Sequence, residues 1–241
     1  MGRAFEVRKA AMQKTAAAKS KLYARYSKEI YMTAKSGSPD PEINVNLKRM
    51  IEKAKRDQVS SEIIKRAIDK AKGGSDDNYH ESRYEGFGPA NSLIIVECLT
   101  DNPNRTIHEV RNCFTKTDGK LGVTGSVAHQ FNNYAVFELE GITEDEMLEI
   151  LIENDVDVEE IETEDNTIII YGLSTNYNLI RQAILDARPN IEFLTEEIMW
   201  LPMVDTKLEN EEDIEKFERL LRMLDELDDV QNVYHNVDIE L

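Results

Sequence analysis

Apolar residues at helical spacing dominate the first third of the chain. Leu22, Tyr26 and Ile30 repeat every four residues within a segment rich in Ala and Lys, which predicts one long helix. Asp40 and Ser60 stand where a side chain can cap a helix, and each precedes apolar residues at the same spacing. We therefore expect a bundle of three helices.

Beyond residue 82, shorter apolar segments indicate strands that alternate with helices. The residues from Leu93 to Leu99 have the composition of a buried strand, and Asn104 is placed to begin a helix that buries Phe114. Clustered glycine and proline predict a loop before that strand, at Gly86, Gly88 and Pro89.

A second run of elements follows three glycines at positions 119, 122 and 125. One strand is predicted first, and then the order strand-helix-strand-strand-helix-strand, which is that of the ferredoxin-like fold. The predicted strands cover 127–131, 134–139, 156–161, 167–171 and 191–199, and the helices cover 144–154 and 176–187. A final strand, helix and strand complete a second such unit with residues 93–131, at 200–204, 211–227 and 230–235.

The fold class expected from these elements is α+β, with an N-terminal three-helix bundle followed by two ferredoxin-like α/β domains, one inserted into the other. The predicted domains are a basic helical domain (1–75), a discontinuous α/β domain (82–131 plus 202–241) and an inserted acidic domain (132–201). The polar residues between 75 and 82 form the expected linker.

Charge is divided unevenly between these predicted domains. Residues 1–72 hold 18 Lys and Arg against 8 Asp and Glu, so they carry +10 and the remainder carries −28. Residues 121–180 contain 14 Asp and Glu and no Lys or Arg. This division predicts that the basic end meets a polyanion while the acidic end avoids one.

Cations of the basic end are the candidate phosphate contacts. Binding through about six of them would give a log–log salt slope of roughly −5 for duplex DNA. A solvated helix face explains any one of these residues, but the charge of the set favours a binding surface. The predicted nucleic-acid-binding residues are Arg3, Arg8, Lys9, Lys14, Lys19, Lys21, Arg25, Lys28, Lys48, Arg49, Lys55, Arg56, Lys65 and Arg66.

Two alternatives for the basic end stay open. The second and third predicted helices have the spacing of a helix-turn-helix, although the turn at Asp57–Val59 lacks glycine and a helical hairpin has similar spacing. Tyr23, Tyr26 and Tyr31 can stack on unpaired bases, but their position beside apolar residues favours the bundle core.

No pattern in the sequence indicates catalysis, a cofactor or a metal. The four His residues are scattered, and neither glycine cluster continues into the Gly-Lys-Ser/Thr of a phosphate loop. Cys98 and Cys113 are expected to be buried thiols. Because the sequence has no run of about 18 apolar residues and no secretory segment, we expect a cytoplasmic protein without a membrane partner.

Three motifs occur in order in the middle of the chain. They are Tyr-Glu-Gly-Phe-Gly-Pro at 84–89, Thr-Asp-Asn-Pro-Asn-Arg-Thr at 100–106 and Gly-Lys-Leu-Gly-Val-Thr-Gly-Ser-Val at 119–127. Together they resemble the YebC/PmpR family of bacterial regulatory proteins. The start Gly2-Arg3-Ala4-Phe5 is similar to the YeeN-type branch, whereas many relatives begin Gly-His-Ser-Lys-Trp. By motif, the second-site candidates are Arg83, Tyr84, Asn104 and Arg105.

The resemblance implies a non-enzymatic transcriptional regulator that binds DNA. It also implies an alternative, a ribosome-associated translation factor or translational activator that binds ribosomal RNA. A nucleotide-using enzyme and a pure protein adaptor are the competing classes, and the enzyme lacks any acid–base, nucleophile or metal constellation in the sequence. The acidic inserted domain is a candidate surface for a basic protein partner.

Overall fold

The bundle predicted for the N-terminal third is present. The structure is a computed structural model that describes residues 16–73 and 78–238. Its first three helices are α1 (Ala16–Ser36), α2 (Val45–Arg56) and α3 (Ser61–Lys72). They share a buried core to which Ile30, Leu47 and Ile64 contribute, so the predicted helical spacing marks the side of each helix that faces inward.

Helix α2 begins later than the sequence predicts. Its N-cap is Asn44, whose side chain accepts a hydrogen bond from the first turn at 3.1 Å, so the predicted cap at Asp40 is wrong. The Asn44 amide also donates to the carbonyl of Thr33 at 2.9 Å, and this bond holds the start of α2 against α1. The predicted cap at Ser60 is confirmed, since its hydroxyl accepts from the backbone of Ile63.

Strands and helices alternate through the remainder of the described chain. The strands are β1 (His80–Phe87), β2 (Leu93–Thr100), β3 (Lys120–Leu121), β4 (Phe131–Glu140), β5 (Glu160–Glu164), β6 (Thr167–Leu173), β7 (Phe193–Pro202) and β8 (Val230–His235). The helices are α4 (Pro103–Thr115), α5 (Glu144–Glu153), α6 (Tyr177–Ala187) and α7 (Glu211–Asp225). The α+β class predicted from the sequence is therefore confirmed.

The first sheet has the strand order β3-β1-β2-β8, and every neighbouring pair is antiparallel. The four positions correspond to those of a ferredoxin-like sheet, but the chain order differs. The strand that lies between β2 and β3 is β1, which precedes both of them in the chain, whereas in the ferredoxin-like fold this strand follows them. The loop predicted at Gly86 is wrong, because Gly86 lies within β1. Packing requires this glycine, since a Cβ there would lie 2.5 Å from the ring of Phe114.

The second sheet has the order β5-β6-β4-β7, again antiparallel, and its elements follow the predicted ferredoxin-like chain order. Strand β4 begins at Phe131 and continues through residues 132–133, where the sequence predicted a break. The strand predicted at 127–131 is wrong, because Ala128–Gln130 form a short 3₁₀ helix. Strand β7 extends to Pro202 because Pro202 pairs with Phe131 and Leu201 with Asn132. The strand predicted at 200–204 therefore belongs largely to this sheet and not to the first one.

Each sheet is covered by two helices on one face and by the other sheet on the opposite face. Helices α4 and α7 pack on one face of the first sheet, and α5 and α6 pack on one face of the second. The remaining faces pack against each other, with Ile95 and Tyr234 of the first sheet in one buried cluster with Val136 and Met199 of the second. The two units therefore share an apolar core, and residues 79–238 are called the α/β body below.

Candidate nucleic-acid interface

Three of the predicted phosphate-binding residues lie on the side of helix α1 that faces the α/β body. Lys21, Arg25 and Lys28 are spaced four and three residues apart, so they share one face of the helix. The ammonium of Lys21 lies 2.7 Å from the carboxylate of Asp225, at the end of α7, and also donates to its backbone carbonyl. This side of α1 therefore meets carboxylates of the same chain.

The contact of Lys28 is the most buried of these. Its Nζ lies 3.0 Å from Oδ1 of Asp229, whose other oxygen accepts from Arg105 at 2.6 Å, Thr106 at 2.8 Å and Thr100 at 2.9 Å. Burial alone would raise the pKa of Asp229, but these donors stabilise the ionised form and lower the pKa to about 2. Four donors thus converge on one carboxylate between the bundle and the body.

Arg25 is paired within its own helix. Its Nε lies 2.9 Å from Glu29, and Glu197 of strand β7 adds a second negative charge nearby. Burial opposes the charged form, but these carboxylates together raise the pKa of Arg25 above its ordinary value. The guanidinium is therefore held charged at the boundary with the body.

Helix α2 contributes a second set of contacts to the body. Arg49, Lys53 and Arg56 are spaced four and three residues apart and lie on one face. They reach Asn178 at 3.0 Å, Glu197 at 2.7 Å and Glu196 at 2.9 Å, in that order. We call the six residues of α1 and α2 that point this way the docking face: Lys21, Arg25, Lys28, Arg49, Lys53 and Arg56.

A different set of cations points to solvent. Lys48 and Lys55 lie on the side of α2 away from Arg49, and Lys65 and Arg66 are exposed on α3. Arg66 pairs with Glu62 one turn earlier, whereas no carboxylate in the described part of the chain lies within 4.0 Å of the three lysines. We call Lys48, Lys55, Lys65 and Arg66 the outer face.

The structure does not describe the side chains of the other predicted phosphate-binding residues. Arg3, Arg8, Lys9 and Lys14 lie outside the described residues, and Lys19 lies in α1 with its side chain outside them. The phosphate contacts predicted at these five positions therefore stay predictions.

Tyr26 and Tyr31 of α1 are core residues, as their spacing favours, and Tyr23 is half-buried against the same cluster. Tyr26 and Tyr31 are 3% and 1% exposed, so neither ring is available for stacking on a base.

The turn from α2 to α3 is made without glycine, because Gln58 adopts the left-handed conformation at a φ of 60°.

Two of the second-site candidates have partners within the body. The guanidinium of Arg83 lies 4.7 Å from the ring centre of Trp200 and 3.6 Å from the carboxylate of Glu85. Arg105 bonds Asp101 and Asp229. A structural role therefore accounts for the position of each of these arginines.

The other two candidates lie at the start of helix α4. The hydroxyl of Tyr84 donates to the carbonyl of Pro103 at 3.4 Å, which links β1 to this helix. Asn104 is exposed, and the cap predicted for it is wrong, since the side chain of Asn102 accepts the capping bond from Arg105. The proline at the first helical position favours this earlier start.

Glu85 is a buried acid that the sequence analysis did not single out. Its carboxylate accepts hydrogen bonds from the backbone of Gly125 at 2.9 Å and of Val127 and Ala128 at 2.8 Å. Burial opposes ionisation, but the three amides lower the pKa of Glu85 below its ordinary value. The first and third sequence motifs are thus held together by this side chain. The sequence analysis missed it because a loop was predicted at Gly86, which gave no reason to expect a buried acid beside it.

The structure also describes the two cysteines and the side chains that could bind a metal. Cys98 and Cys113 are buried and free, as predicted, and burial raises the pKa of Cys98 to about 12. Within residues 16–73 and 78–238, no three His, Cys, Asp or Glu side chains are grouped to hold a metal ion. In the same ranges no helix has both the length and the apolar character to cross a bilayer.

Two family models together match almost the whole chain. The model of the TACO1/YebC protein N-terminal domain matches residues 3–74, and the model of the TACO1/YebC second and third domain matches residues 79–237. The resemblance seen in the three motifs is therefore confirmed. These models do not distinguish the YeeN-type branch.

Similar proteins match from end to end. A protein of Acholeplasma laidlawii named "Probable transcriptional regulatory protein" is 59% identical over 237 residues, which are 98% of each chain. A protein of Alteromonas mediterranea with the same designation is 54% identical over 236 residues, again 98% of each chain. The crystal structure of a conserved hypothetical protein from Aquifex aeolicus has a TM-score of 0.76 at 33% identity, and the match covers 95% of this chain and 93% of that one.

Proposed function

Because the chain belongs to the TACO1/YebC family, we propose that it is a non-enzymatic transcriptional regulatory protein that binds DNA through its basic N-terminal bundle. The regulatory role follows the names of the full-length relatives. We assign the binding surface to the bundle and place the protein in the cytoplasm.

The observation that carries the proposal is the separation of the bundle's cations into two faces. Four residues of the docking face, Lys21, Lys28, Lys53 and Arg56, are paired with carboxylates of the α/β body, whereas Lys48, Lys55 and Lys65 of the outer face have no such partner among the described residues. Exposed lysines on a rigid helix pair are suited to phosphate contacts, which fix position without reading sequence.

Charge on the α/β body supports one orientation of the bound polyanion. Helix α5 begins with Glu144, Asp145 and Glu146, and β5 carries Glu160, Glu162 and Glu164. A phosphate polymer is repelled by such a surface, so it approaches from the side of the bundle. A basic protein partner on this acidic surface stays a prediction.

Identification of the nucleic acid bound in cells tests the proposal. Ultraviolet crosslinking followed by sequencing of the recovered fragments is expected to yield DNA enriched in particular chromosomal regions. Recovery of ribosomal RNA instead would contradict the DNA assignment and support the translation factor. Recovery of neither above an uncrosslinked control would contradict nucleic-acid binding altogether.

Gel retardation with matched variants assigns the surface. The outer-face triple variant is Lys48→Gln, Lys55→Gln and Lys65→Gln, and it is expected to weaken binding to the enriched sequence. The control triple removes the same charge from exposed positions on the body, Arg111→Gln, Lys116→Gln and Lys120→Gln. Equal weakening by both triples would show that net charge, and not the bundle surface, determines affinity.

A further inference from the structure

We propose that the docking face is a second phosphate-binding surface, kept closed by the α/β body, and that a bound nucleic acid displaces the body from it. The inference rests on the proposed function, because the ligand is the same phosphate polymer. It adds a set of contacts that become available only when the bundle separates from the body.

Polar contacts dominate the seam between bundle and body. The buried cluster of the bundle contains residues of α1 to α3 and the Val59 turn, and the three clusters of the body contain none of these among the described residues. An aromatic contact, Tyr31 with Tyr79 at 5.8 Å, accompanies the ion pairs. The two sheets of the body, in contrast, share an apolar core. The seam is therefore the boundary at which the molecule can open without exposing a core.

The partners at the seam are ones that phosphate can replace. Lys21, Lys53 and Arg56 each reach a single carboxylate at 2.7 to 2.9 Å, and a phosphate oxygen offers the same acceptor with at least the same charge. Asp225 has a side chain 75% exposed to solvent, so its pair with Lys21 is screened and readily exchanged.

The spacing of these cations suits an extended polyanion. On α1 and on α2 the docking residues follow the pattern i, i+4, i+7, so each helix presents a row along its axis. Carboxylates from α7, the turn before β8 and strand β7 occupy these rows in the closed form. Carboxylates drawn from separate elements thus cover cations that a continuous phosphate chain can contact together.

Variants on the body side test the competition without altering any cation. Asp225→Asn with Glu197→Gln weakens the closed form, and the control Glu149→Gln with Glu153→Gln removes the same charge from exposed positions of α5. The affinity of the first variant for a duplex of 20 base pairs is expected to exceed that of the control roughly threefold or more, because a larger fraction is open. Equal affinities of the two variants would overturn the proposal.

A distance measurement tests the opening itself. Spin labels are attached at Ser61→Cys in the bundle and Glu149→Cys in the body, while the native Cys98 and Cys113 are buried. Saturation with the duplex is expected to lengthen and broaden the distance distribution. An unchanged distribution with the duplex bound would overturn this inference alone, whereas a duplex that does not bind would overturn the proposed function.

Discussion

Lys28 and Asp229 form an ion pair of 3.0 Å although 201 residues separate them in the chain. The same carboxylate receives Arg105, Thr100 and Thr106, all from the motif at 100–106. The motif is therefore bonded to the turn before β8, and Lys28 joins the bundle to the same carboxylate. Arg105, which the family motif made a second-site candidate, therefore has a structural role where the bundle meets the α/β body.

Removal of this negative charge is expected to destabilise the protein. Asp229→Asn keeps the size of the side chain but leaves Lys28 and Arg105 without their shared carboxylate, and the free energy of unfolding at pH 7 should fall by about 2 to 3 kcal/mol. Urea denaturation measures the change. Asp228→Asn is the matched control, because Lys28 contacts only the backbone carbonyl of that exposed residue.

The same substitution should alter the dependence of stability on pH. The pKa of Asp229 is about 2 in the folded protein against an ordinary 3.8, so its contribution is complete above 3.8 and is lost as the pH falls towards 2. The stability difference between parent and Asp229→Asn should therefore shrink across this window. A difference that stays constant between pH 5 and pH 2 would contradict the assigned donors.

Glu85→Gln should loosen the segment from Gly125 to Ala128. A glutamine offers one acceptor oxygen and an NH₂ that cannot accept, so at least one of the three amides loses its partner, at a cost of about 1 to 3 kcal/mol where that amide is buried, as it is at Val127. Hydrogen exchange at these amides should accelerate. Glu81→Gln, in the same strand but exposed, should leave their exchange rates as in the parent.

Gly86→Ala should be harmful because the new methyl group meets the ring of Phe114 at 2.5 Å and the carbonyl of Lys120 at 3.0 Å. Overpacking of this kind costs about 1 to 3 kcal/mol. Gly73→Ala meets atoms only at 3.5 Å and beyond, so its melting temperature should stay close to that of the parent. Partial recovery by Phe114→Leu in the Gly86→Ala background would confirm the clash, and no recovery would place the strain elsewhere.

The elements that the sequence predicted well are those fixed by local pattern. The spacing of Tyr26 and Ile30 identified the inward side of α1, and the alternation of the inserted unit identified its strand order. Gly86 was misassigned because a glycine required by a distant ring has the same appearance in sequence as one required by a turn.

The candidate site was predicted only as a set of cations, without its division into two faces. Helical spacing places Lys21 and Lys28 together, but their partners Asp225 and Asp229 lie about 200 residues away, as the sequence separations of 204 and 201 show. Among many acids, no local feature marks these two. Nine predicted phosphate contacts have described side chains, and the docking role of five of them emerges only from the tertiary structure.

The salt dependence of duplex DNA binding tests the central claim that the outer face of the bundle contacts phosphates. The slope of log Kd against log salt should be smaller by about 2 to 3 in the triple variant Lys48→Gln, Lys55→Gln and Lys65→Gln, because each lost phosphate contact removes about 0.9. The control triple Arg111→Gln, Lys116→Gln and Lys120→Gln should keep the parent slope. Parent slopes in both variants would contradict the account.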